Sequence, residues 1–158
     1  MTPPPRPGAV IAAHPLSLPA ADAFALVTDV RHHADWIPLT RVDVDGPLHV
    51  GSRFRAVSGP GARDGAPGLV DSMRVTRLDP PADGHPGVAH FVREGPVMHG
   101  WAHIVVRDEP GGGSLVVWAE EAALVGPLPR ALTARLIGPA LALVIRVALR
   151  GAARSAHA

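Results

Sequence analysis

The stretch Leu128 to Arg150, LPRALTARLIGPALALVIRVALR, decides the fold. Leu128, Leu132, Leu136, Ala140, Leu143, Val144 and Val147 recur at steps of three and four, which places them on one helical face, and that face is expected to be buried. Arg135, Ala142, Arg146 and Arg150 fall on the other side. A helix of about 22 residues spans roughly 33 Å, enough to cross a small domain. Nearly everything before it reads as strands and turns, so the expectation is one long helix held by a curved antiparallel sheet. The longest uncharged run, Leu136 to Ile145, is ten residues, whereas a membrane span needs about 20 apolar residues and tolerates central arginine poorly. No membrane span is expected. Pro139 lacks a backbone donor and predicts a kink or break near Gly138.

Working back from that helix, Val10 to Leu16 reads as a first strand. Pro19 then opens a helix over Ala20 to Val30, with Phe24, Val27 and Val30 on one face. Arg31 to Pro38, RHHADWIP, predicts a second short helix stopped by the proline. The remaining strands are expected at Val42 to Val44, Val50 to Val57, Leu69 to Leu78, Val88 to Glu94, Val97 to Arg107 and Ser114 to Leu124, separated by Gly/Pro-rich turns. Gly59 to Gly68, GPGARDGAPG, has the most flexible composition. It lacks the third glycine of a dinucleotide fingerprint and no helix follows, so it reads as a hairpin connection or a loop bordering a pocket. Residues 1–8 form a Pro-rich tail, 9–152 one domain, and 153–158 a C-terminal tail.

What is missing narrows the chemistry. The chain has 158 residues, 47% of them hydrophobic, and contains no Lys, Asn, Gln, Tyr or Cys. This excludes lysine Schiff bases, cysteine acyl-enzymes, thiolate metal sites and tyrosine acids. Acid–base work must fall to His, Asp or Glu. The start has no basic, then apolar, leader, so a cytoplasmic location is expected. From Ala122 onward there are five arginines and no acid, against a balance of −4 before that point. The basic residues have no interleaved aromatics, which argues against nucleic-acid binding. The outer helix face is either solvated or a contact for a partner or an anionic membrane surface.

Strand, two helices, six or seven antiparallel strands and a long terminal helix: this α+β order, with TDVRHHADWIPLTRV (28–42), VGSRF (50–54), DSMRVTRLDPP (71–81), GWAHIVV (100–106) and GGGSLVVWAEEAAL (111–124), resembles the START/polyketide-cyclase superfamily, the helix-grip fold of birch-pollen-allergen-like proteins. The resemblance covers nearly the whole chain beyond the Pro-rich tail. It implies an apolar cavity between the concave face of the sheet and the long helix. It does not choose among lipid carriers, ligand receptors and cyclases.

Strand alternation selects the residues facing that cavity. On 114–124 these are Val116, Trp118, Glu120, Ala122 and Leu124; on 97–107, Met98, Gly100, Ala102, Ile104 and Val106. On 69–77 they are Leu69, Asp71, Met73, Val75 and Arg77, and on 88–94 Ala89, Phe91 and Arg93, with Phe54 and Ala56 beside them. Trp36 is expected to cover the pocket from the short helix, and Leu136 and Ala140 to close it from the long one. Glu120 on an apolar face either has its proton held or pairs with Arg93 or Arg77. Asp71 poses the same choice. His33 borders the mouth or faces solvent. Glu120, Asp71 and His33 are thus the candidates for acid–base work. No metal site is expected: His99 and His103 on a strand lie about 13 Å apart. No Gly-x-Ser-x-Gly elbow surrounds Ser17, Ser58 or Ser114. The functional expectation is binding of one small hydrophobic molecule, such as a lipid, polyketide or aromatic metabolite, without a cofactor, by a monomer or homodimer. The alternatives are a polyketide cyclase-like enzyme using the same cavity and an interaction module built on the Arg-rich helix.

Overall fold

A computed structural model describes residues 8–158. All but the last residue of the expected Pro-rich tail therefore lie outside the described residues. Seven strands form one antiparallel sheet: β1 (Val10–Leu16), β2 (Thr40–Val44), β3 (Arg53–Ser58), β4 (Leu69–Asp79), β5 (Gly87–Glu94), β6 (Met98–Asp108) and β7 (Ser114–Leu124). Their order across the sheet is β1-β7-β6-β5-β4-β3-β2. β2 to β7 are thus a meander of hairpins, and β1 pairs with β7 at the far edge.

Between β1 and β2 the chain crosses the whole sheet through α1 (Ala20–Thr28), a 3-10 turn at Val30–His32, and α2 (His33–Trp36). Pro19 offers no capping side chain, but Asp108 at the end of β6 accepts from the Ala20 amide at 2.8 Å and supplies the cap from outside. Phe24 and Val27 of α1 and the adjoining Val30 join Ile104, Val106 and Val116 of the sheet in the core.

The terminal helix, α3 (Arg130–Ser155), packs against β1, β7 and α2. It passes Pro139 without a break, so of the kink or break expected near Gly138 the break does not occur. Pro139 is exposed, so the carbonyl left without its amide partner lies on the side open to water. The helix also continues through Ser155, into the segment expected as a C-terminal tail.

The larger correction concerns which face of α3 is buried. Ala134, Gly138, Ile145, Ala148, Leu149, Gly151 and Ala152 face inward. Leu128, Leu132, Leu136 and Leu143, expected inside, are exposed, Leu136 at 67% and Leu143 at 62%. Small residues win the inner face because they allow a close approach. At Gly151 a Cβ would stand 2.5 Å from Trp36 Cγ, so the indole can lie on the helix backbone only because that position is glycine. Trp36 Nε1 donates to Ser155 Oγ at 3.1 Å, fixing the contact.

Two further expectations change in the strands. β4 carries an irregularity between Val75 and Arg77, which shifts the alternation by one residue. Arg77 therefore turns outward and pairs with Asp79 rather than Glu120, while Leu78 packs on the core. In Gly59 to Gly68, a 3-10 turn at Ala62–Asp64 buries Ala62, and its carbonyl accepts from Arg41 Nη1 at 2.7 Å. Arg63 donates to the Ala34 carbonyl next to α2. The glycines here shape a loop tied to its neighbours.

Candidate functional site

The concave face of the sheet and α3 enclose a cavity of about 240 Å³, lined almost wholly by apolar side chains. Phe54, Met73, Phe91, Met98, Ala102, Trp118 and Ala140 lie on its wall, as do His33, Asp71, Arg93 and Glu120. Several expected wall residues do not: Ala89, Ile104, Val106 and Val116 are core residues off the wall. Val75 is fully buried in the core, and Trp36 packs on Gly151 of α3. Gly100 lies under Glu121, where a Cβ would collide with that residue's carbonyl oxygen. Leu136 points to solvent. Leu124, expected inward, is likewise exposed.

The helix side of the wall consists of Ile137, Leu141, Val144, Ile145 and Ala148 with Ala140. Except for Ala140 and Val144, sequence reasoning missed these, although 137, 141, 145 and 148 also repeat at helical steps. Thr40 and Ser58, hydrogen-bonded to each other at 2.8 Å, add a small polar spot near the sheet edge that alternation alone did not select.

One polar cluster sits in this apolar wall, and the strand register explains how it assembles. Arg93 on β5 faces Gly100 on β6, and Ala102 on β6 faces Glu120 on β7. With strands about 4.8 Å apart, a side chain on β5 must cross roughly 9.6 Å to meet one on β7. Gly100 and Ala102 leave that path clear. The guanidinium reaches over them, and Arg93 Nη2 donates to Glu120 Oε2 at 2.6 Å. Nη1 donates to the carbonyls of Glu121 at 2.9 Å and Trp101 at 3.2 Å, and Nε is shared between the two oxygens of Asp71 at 3.0 and 3.1 Å. The remaining Glu120 oxygen, Oε1, accepts from Trp118 Nε1 at 2.6 Å.

Three electrostatic consequences follow. Burial alone would lower the Arg93 pKa, but Glu120 and Asp71 together hold the guanidinium above its ordinary value. Asp71 is shifted upward too, which for a carboxyl favours the neutral form. Burial pushes its carboxyl up and the Glu120 charge adds to this, with Arg93 opposing. A single Nε–H shared by two oxygens leaves Asp71 with unused acceptor capacity beside the cavity. The third group is His33. Its Nε2 lies 2.9 Å from the Val27 carbonyl, which can only accept, so the hydrogen sits on Nε2. Burial lowers the His33 pKa, and in the neutral ring Nδ1 keeps its lone pair. The ring packs on Trp118 at 5.1 Å. Glu120 is anchored by Arg93 and Trp118, while Asp71, with its pKa raised, and His33, with its pKa lowered, also line the cavity.

Among the described residues no three His, Asp or Glu side chains gather as metal ligands. His103 instead meets His90 at 5.8 Å, outside the cavity wall.

The sequence model described as "Polyketide cyclase / dehydrase and lipid transport" matches residues 10–157. Solved structures share the fold at low identity. A protein from Thermus thermophilus, TTHA0849, is 16% identical, with 94% of this chain and 96% of that one covered and a TM-score of 0.67. A START superfamily protein from Mycobacterium smegmatis is 14% identical over 93% and 97% of the two chains, TM-score 0.66. The Zhui aromatase/cyclase from Streptomyces sp. R1128 is 15% identical over 94% and 93%, TM-score 0.66. No curated protein sequence is significantly similar.

Proposed function

The chain belongs to the polyketide cyclase / dehydrase and lipid transport family, and on that premise we propose that it binds one small hydrophobic molecule inside the helix-grip cavity, with Asp71, Arg93, Glu120 and His33 orienting its polar end. The observation that carries this reading is an apolar cavity of about 240 Å³ with a single charged cluster set into its wall. An apolar shell supplies affinity at about 25 cal/mol per Å² of ligand surface buried, so about 300 Å² yields roughly 7 kcal/mol before association costs. Asp71, with acceptor capacity left over, is the group best able to hold a hydroxyl or carbonyl of the bound molecule.

A second reading rests on its own observation. A carboxyl held above its ordinary pKa and a neutral imidazole with a free lone pair line one cavity, which is what an aldol-type cyclisation or dehydration of a poly-carbonyl chain requires. His33 would take a carbon-bound proton and Asp71 would give one to the leaving or forming oxygen.

Titration with the apolar fluorophore N-phenyl-1-naphthylamine tests the binding reading. The fluorophore is expected to enter and to quench Trp118, and Ala122→Leu, which fills the wall, is expected to abolish both effects. Equal uptake by Ala122→Leu and the parent would refute it.

A further inference from the structure

The apolar stripe of α3 that the fold leaves outside is large and patterned. Leu132, Leu136, Leu143 and Val144 are all exposed. At 100° per residue, Leu132, Leu136, Leu143 and Val147 fall within about 60° of one another, with Ala140 next to them. Arg135 and Arg146 lie along one flank of this stripe, and Arg150 and Arg154 fall in the stripe's own sector beyond its last leucine. All four arginines are exposed, and among the described residues none pairs with a carboxylate. On the opposite flank, Ala140 and Val144 are exposed and also line the cavity, as does the exposed Leu69 of β4.

We propose that this outer face of α3 docks on an anionic lipid bilayer, with the leucine stripe in the acyl–headgroup boundary, the arginines on lipid phosphates and the cavity mouth at the membrane surface. A helix with an apolar stripe flanked by arginines is the pattern of an interfacial helix, buried about 5–10 Å deep. Charge complementarity selects this occupant. From Ala122 to the end there are five arginines and no acid, which suits a negative surface. A second copy fits poorly, because its matching helix carries the same arginines and no acid to meet them. The position of the mouth gives the surface a purpose, since an apolar molecule could pass between bilayer and cavity without crossing water. Docking is independent of what the cavity holds, and vesicle binding is measurable on the empty protein.

Co-sedimentation of the full chain with vesicles of phosphatidylcholine, with and without about 30% phosphatidylglycerol, tests this. Binding to the anionic vesicles is expected to be at least tenfold tighter, and to weaken as salt rises from about 0.05 to 0.5 M. Leu136→Glu with Leu143→Glu is expected to cost at least tenfold. Arg135→Gln and Arg146→Gln should each cost about fivefold. These side chains are exposed, so melting temperatures should be unchanged. Equal binding to both vesicle types, or unaltered binding by the leucine variant, would overturn the proposal. So would a dimer in sedimentation velocity that the leucine variant converts to monomer, or a drop in that variant's melting temperature, which would show the stripe to be packed internally.

Discussion

Replacing Arg93 with Met removes the only cation of the cavity cluster and keeps most of its bulk. Arg93 is only 5% exposed and makes contacts to Asp71, Glu120 and the carbonyls of Trp101 and Glu121. Removing one partner of a buried ion pair costs about 3–5 kcal/mol, because the remaining charge has lost both water and its counterion. Here two carboxylates and two carbonyls are left. For a domain of this length the loss corresponds to a fall in melting temperature of about 10 °C. The pH dependence separates electrostatics from packing. In Arg93→Met the Asp71 carboxyl, already raised by burial, loses the guanidinium that opposes the rise and is pushed higher still. A raised carboxylate pKa contributes stability below the unfolded value and loses it as pH rises through the folded one. The deficit relative to the parent should therefore be full near pH 7.5 and shrink toward pH 4. Urea unfolding of both proteins at the two pH values measures it. A deficit under about 1 kcal/mol at pH 7.5, or one of equal size at both pH values, would refute the reasoning.

Other expectations concern the same architecture. Gly151→Ala should destabilise by about 1–3 kcal/mol, because its Cβ falls 2.5 Å from Trp36 Cγ, and near-UV circular dichroism should report the displaced indole. Gly100→Ala should cost more than Gly151→Ala in thermal unfolding. Its Cβ runs into the Glu121 carbonyl oxygen, an acceptor for Arg93, and its φ of 151° resists a side chain. Asp71→Asn should remove one contribution to the pH dependence of stability. With its pKa raised, Asp71 favours the folded state below the ordinary aspartate value of 3.8 and loses that contribution as pH rises through the folded value. The urea midpoint of the parent relative to the variant should fall as pH rises from about 3 to 7, since the lowered carboxyls Asp29, Asp43 and Glu94 are common to both.

The sheet was legible because β5, most of β6 and the first half of β7 bury one face. Alternation in β5, β6 and β7 correctly points Phe91, Arg93, Ala102, Trp118 and Glu120 toward the cavity. It fails in β4 after Val75, where one irregular residue exchanges the faces of Arg77 and Leu78 without a composition signal. The helix itself was visible in its periodicity, but both of its faces are apolar. Ranking by side-chain size favoured the leucine stripe, whereas the fold selects Ala134, Gly138, Ala148 and Gly151 for the close contacts they permit. That Glu120 pairs with Arg93 rather than Arg77 depended on the β4 irregularity and on the gap above Gly100 and Ala102. Both are three-dimensional facts that strand spacing alone does not contain.

Native mass spectrometry of the intact chain purified from its own host tests the central claim most directly, that the space between sheet and helix is a ligand site. The account predicts a discrete mass increment from an apolar small molecule in the parent, absent from Ala122→Leu produced the same way. Bare parent protein in repeated preparations, or an increment that persists in Ala122→Leu, would contradict it.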